Sequence, residues 1–129
     1  LNRFDFQQLA EIRLQEAEIL MANKQYDGAY YLSGYVIECA LKACIAKKTR
    51  EYDFPPNRIK NIYTHELAKL VGEAGLRIEN SLAEINWAVV KDWSEQHRYS
   101  FHSELEAKNL YSAVSDPETG VLKWIKQYW

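Results

Sequence analysis

The stretch Gly28–Ala46 constrains the fold more than any other part of the chain, because its only formal charges are Glu38 and Lys42. Its nineteen residues are long enough for a helical membrane span. Both charges would then sit near the bilayer centre, each costing about 2.5–3.5 kcal/mol on an insertion scale. The stretch is therefore read as the central, buried helix of a bundle, and no membrane association is expected.

Composition points the same way. A chain of 129 residues with 47 % apolar and 26 % charged side chains suits one compact domain, residues 1–129. Five Gly and three Pro are too few for turn-rich β architecture or collagen-like repeats. A net charge of −2 excludes a generally basic nucleic-acid coat, which needs many uncancelled Lys and Arg, and leaves room for a local patch. Cys39 and Cys44 are five residues apart, about 140° around a helix, so they can share neither a disulfide nor a metal and read as buried thiols. With only His65, His97 and His102 besides, no metal site and no cofactor is expected. Reduced thiols and the lack of an apolar signal core in Leu1–Gln8 favour a cytoplasmic setting.

The periodicity predicts an all-α, antiparallel up-and-down bundle of about five helices. The first covers Phe4–Asn23, with Phe6, Leu9, Ala17 and Leu20 on one face and Asp5 as N-cap. A turn at Asp27–Gly28 leads into the apolar run Ala29–Ile45, and Lys47, Lys48 and Arg50 suit the helix C-terminus there. Glu51–Tyr63, with consecutive prolines at 55 and 56, reads as the longest loop. Thr64 is expected to cap a short third helix that Gly75 closes. Leu82, Ile85, Val89 and Trp93 define a fourth helix reaching about Gln96, and a fifth begins near Ser103. Ser115-Asp116-Pro117-Glu118 predicts a kink or restart of the last helix near Pro117, before Val121–Trp129. Trp87, Trp93, Tyr111 and Trp124 fall at core-like spacing.

Two clusters of polar residues stand out. Tyr31, Gly34, Tyr35, Glu38 and Lys42 share one stripe of the second helix, since spacings of three, four and seven return to the same face. They form either a simple i,i+4 ion pair or a shared polar pocket. The second cluster spans Asp92–His102, where Arg98 suits bidentate phosphate binding and His97 and His102 suit acid–base work near neutral pH. The plain structural alternative pairs Arg98 with Glu38 or a helix C-terminus. His65 is expected to contact local backbone or a neighbouring loop.

In their order and spacing, Tyr30 to Ala43, Thr64-His65-Glu66-Leu67 and Arg98-Tyr99 resemble the HEPN superfamily, the nucleotide-binding domain of higher eukaryotes and prokaryotes. The Glu-x3-Lys of Glu38 and Lys42 and the Arg-Tyr pair resemble its nucleotide-binding branch. The resemblance implies a helical bundle that dimerises, with a cleft at the dimer seam. Many members of the superfamily are ribonucleases with Arg, four to six residues, then His. Here His102 follows Arg98 after only three, and one residue fewer turns a helical side chain by about 100°. Arg58 and His65 satisfy the count but straddle the proline loop.

The leading reading is a homodimeric module that binds a nucleotide or RNA segment or docks a minimal nucleotidyltransferase, the companion that the resemblance implies as in toxin–antitoxin pairs, without strong catalysis of its own. Arg98 and Lys42 would contact phosphate, Tyr99, Tyr35 and Tyr31 would stack or donate hydroxyls, and Glu38 would orient them. A second reading is a metal-independent endoribonuclease, with Arg98 and His102 as candidate catalytic groups. A third makes Glu38, Lys42 and Arg98 a buried network that fixes helix register in a dimeric interaction module.

Overall fold

The computed structural model describes residues 1–49 and 63–129, and among these the regular structure is entirely helical. The elements are α1 (Arg3–Ala22), α2 (Tyr26–Thr49), α3 (Leu67–Glu73), α4 (Glu84–Val90), a 3-10 turn (Glu95–Tyr99), α5 (Glu104–Ser115) and α6 (Val121–Ile125). The expected helical bundle is present, with one short helix more than the periodicity suggested. The proline loop, including Arg58, lies outside the described residues.

Central α2 is buried on nearly every side: Val36, Ile37, Ala40, Leu41, Ala43 and Ile45 have no exposed surface. A helix apolar all round must be enclosed by its neighbours. Helices α1, α3, α5 and α6 pack against it, with α1 lying alongside through its fully buried Ala10 and Ala17, while α4 packs on α5 and α6. No helix among the described residues is long and apolar enough to cross a membrane. Cys39 and Cys44 are buried and free, as read from their spacing. Burial pushes their thiols up to about 12 and about 11, so neither is a ready nucleophile.

Several boundaries differ from the sequence reading, each because a hydrogen bond decides it. Asn2, not Asp5, caps α1: its side chain accepts from the Asp5 N–H, and Asp5 answers as the third residue of a capping box. The turn after α1 falls at Asn23–Gln25 rather than Asp27–Gly28. Lys24 takes the left-handed conformation (φ 60°) and Gln25 N–H reaches back to the Leu20 carbonyl at 2.8 Å, so Asp27 and Gly28 belong to α2. Thr64 does not sit at the cap of α3. It accepts from Glu66 N–H, and Glu66 is the capping position.

Gly75 ends α3 as expected, at φ 71°, with Leu76 N–H bonded to the Val71 carbonyl at 3.1 Å. Ser103 caps α5 in a capping box with Glu106. Asp116 stabilises the following turn by accepting from Glu118 and Thr119 N–H groups, and α6 restarts after Gly120. The C-terminal aromatic segment packs within the same chain, since Trp124 is buried and the Trp129 carbonyl accepts from Arg3 and Gln7 of α1.

The fourth helix departs most. It stops at Val90 rather than near Gln96, and its core face carries Ala83 and Val90, both fully buried. The predicted core positions face outward: Ile85 and Val89 of α4 are 84 % and 46 % exposed, and Leu82, in the turn before the helix, is 78 % exposed. Trp93, read together with them, lies beyond the helix and is buried against α2.

Candidate functional site

Among the described residues Glu38 is the one carboxylate in the core, 2 % exposed, at mid-height of α2. Two of the described side chains meet its charge. Lys42, one turn along, places Nζ 3.1 Å from Oε2 and is itself only 13 % exposed. His65 comes from the segment entering α3 and brings Nδ1 to 2.9 Å from Oε1 and 3.0 Å from Oε2. A carboxylate accepting from Nδ1–H fixes that tautomer and leaves Nε2 as the basic nitrogen. The His65 side chain is 44 % exposed, so solvent reaches the cluster on its side.

The same stripe continues toward the N-terminus of α2. Tyr35 and Tyr31 are half-buried, with ring centroids 6.1 Å apart, and Tyr31 leans on Trp93 at 5.8 Å. Burial raises the Tyr35 hydroxyl, and the negative charge of Glu38 adds to it. Gly34 lets this packing form: a methyl group there would overlap the Trp93 indole. The glycine in the stripe therefore admits a tryptophan of the same chain.

Arg98 and Tyr99 lie at this end, on the 3-10 turn, and both are exposed. The guanidinium carbon is 4.9 Å from the Tyr99 ring centroid. Hydrogen bonding with Tyr99, and more weakly with Tyr31, holds Arg98 above the ordinary arginine value. The predicted residues thus form two neighbouring groups, Glu38–Lys42 and Tyr31–Arg98–Tyr99, joined through Tyr35. Tyr31 and Lys42 are about 16 Å apart along the axis at 1.5 Å per residue.

Arg98 does not pair with Glu38; His65 takes that place, so the proposed ion network of Glu38, Lys42 and Arg98 is realised with a histidine in place of the arginine. Nor does His102 share a partner with Arg98. Its ring stacks on Tyr30 (centroids 3.7 Å, 11°), its Nδ1 lies 3.2 Å from Glu106, and its Nε2 is buried without a partner. Its backbone N–H donates to Asp27. A general base must reach the proton it removes, and the His102 side chain is only 5 % exposed. His97 completes this cluster, 5.1 Å from both Tyr30 and His102. Burial, then the neighbouring His102, lowers its pKa.

The profile of the HEPN domain family matches residues 5–119, which takes in every residue of both clusters. The chain belongs to the HEPN family. No curated protein and no solved structure matches it. The bundle fits a HEPN domain, and the family supports a function connected with nucleotides or RNA. His65 is the site residue the sequence reading passed over. Its signal was the Thr64-His65-Glu66-Leu67 segment, quoted for the resemblance but given no chemical role. No group of three metal-ligating side chains occurs among the described residues.

Proposed function

We propose that this HEPN domain binds a nucleotide or a short RNA along the α2 stripe and has no strong catalysis of its own. The observation that carries the reading is the placement of Arg98 and Lys42 at the two ends of a tyrosine-lined stripe. Arg98 is exposed and oriented by two tyrosines, which suits bidentate phosphate binding. With about 16 Å of axial rise from Tyr31 to Lys42, the stripe suits a ligand with more than one phosphate. Tyrosine faces between cationic ends are the usual means of holding single-stranded nucleic acid.

The exposed apolar side chains of Leu82, in the turn before α4, and of Ile85 and Val89 on it support a homodimer, since such a patch is stabilised when a partner covers it. The setting that fits is cytoplasmic, with a minimal nucleotidyltransferase as protein partner in a toxin–antitoxin-like pair.

The test is calorimetric titration with ATP, GTP and a short single-stranded RNA, followed by incubation of the same RNA without metal and a gel. Binding of intact RNA, lost at least tenfold in Arg98→Ala with unchanged melting temperature, is the expected result. Unchanged affinity in that variant removes Arg98 from the site. Cleavage that disappears in His102→Ala would replace this reading with the endoribonuclease one.

A further inference from the structure

The charges around Glu38 cancel in a way that leaves one residue in control. With the carboxylate ionised and Lys42 an ammonium 3.1 Å away, the pair is formally neutral, so Lys42 offers its N–H donors to a phosphate while Glu38 weakens its charge. Nearby charges cancel too. On α1, Arg13, which acts on Tyr35 and Cys39, is paired with Glu16. Beside His65, Glu66 is paired with Lys69 of α3 at 3.3 Å. The buried Cys39 thiol stays protonated. Among the described residues, His65 is what remains to set the sign of the cluster.

We infer that the Glu38–Lys42–His65 cluster binds a nucleotide phosphate together with a proton on His65, making it a proton-linked phosphate site. The proposal rests on the nucleotide-binding reading and adds its regulation. Protonation requires no rearrangement, because Nδ1–H already points at Glu38. The added proton goes to Nε2 of this 44 % exposed side chain and turns that atom from acceptor to donor. The cluster then carries one net positive charge, with an imidazolium and an ammonium anchored to the same buried carboxylate. Charge-assisted hydrogen bonds of this kind are about twice as strong as neutral ones. Phosphate in turn stabilises the imidazolium, so binding and proton uptake reinforce each other.

The full chain is titrated with adenylyl-adenosine, whose single phosphodiester does not change charge near neutral pH, at pH 6, 7 and 8 and in buffers of different ionisation enthalpy. The expected result is at least tenfold weaker binding at pH 8 than at pH 6. Net proton uptake of up to one per ligand is expected at pH 7. His65→Asn keeps the bond to Glu38 and is expected to bind with a flat pH profile. Parent binding that is itself flat with pH overturns the inference while the binding reading stands. So does a pH dependence that persists in His65→Asn, which would assign it to His97 or His102. No binding of the dinucleotide or of a short RNA at any pH removes the binding reading and the inference with it.

Discussion

Two histidine–carboxylate pairs flank α2, and they are built inside out relative to each other. At one, the carboxylate of Glu38 is buried at 2 % exposure while His65 is 44 % exposed. At the other, the His102 side chain is the buried member at 5 %, and Glu106 is 56 % exposed. A buried carboxylate cannot shed its charge into water, so it holds whatever cations reach it and presents their free edges outward. A buried imidazole with an unpartnered nitrogen works as a packing element, and Tyr30 stacks on it to fasten the segment that carries Arg98 and Tyr99. The first arrangement is suited to handling a ligand's charge; the second positions backbone.

The sharpest test exchanges each carboxylate for its isosteric amide. Glu38→Gln strips Lys42 and His65 of their counter-charge while keeping the shape. Unfolding in urea at pH 7 is expected to show a loss of about 3 kcal/mol, the scale of a broken buried pair. Glu106→Gln retains a side chain for the capping box and acts in solvent, so its midpoint is expected to stay at the parent value. Equal losses in the two variants would break the contrast. A somewhat smaller effect is expected at Gly34, which lies between the two regions. Gly34→Ala forces Trp93 off α2 at a cost of about 1–3 kcal/mol by overpacking. Because Trp93 leads into the 3-10 turn, the variant should disturb Arg98 and His97 in near-ultraviolet dichroism and RNA titration, and leave proton-linked binding at His65 intact.

What could be read from sequence was whatever local patterns determine. The all-round apolarity of α2 placed it at the centre, Gly75 marked the end of α3, and Ser103 marked the start of α5, each through a hydrogen-bonding or burial rule acting within a few residues. The α4 stripe shows where such reading stops. Periodicity identifies that Leu82, Ile85 and Val89 share a face, but not whether the core lies on that face or on the one with Ala83 and Val90. The site divided likewise. Tyr31, Tyr35, Glu38 and Lys42 were legible because helical spacing puts them together. The 2.9 Å contact of His65 with Glu38 joins residues 27 positions apart across the proline loop, and no local rule reaches that far. The stack of His102 on Tyr30 was hidden for the same reason, and so was the seat of Trp93 on Gly34.

The smallest effect separates the two regions by what protons do in each. The pKa of His97 is lowered on folding, by burial first and by His102 second. Above the unfolded value, about 6.5, both states are neutral and the residue contributes nothing to pH dependence. As pH falls through that value, the unfolded chain takes up a proton that the folded chain refuses, so stability declines until the lowered folded pKa is passed. Because His97 is only partly enclosed, the decline should be under about 1 kcal/mol after solvent screening. Urea midpoints at pH 7.5 and 5.5 are expected to fall further in the parent than in His97→Gln, which cannot titrate. A variant that loses as much as the parent would show that acid acts elsewhere in the fold. The expected result leaves protons at the Tyr30 cluster loosening the segment that holds Arg98, while protons at His65 strengthen the hold on phosphate. Acidification would then weaken one end of the stripe as it strengthens the other, and a ligand spanning both should show a shallower pH profile than the dinucleotide.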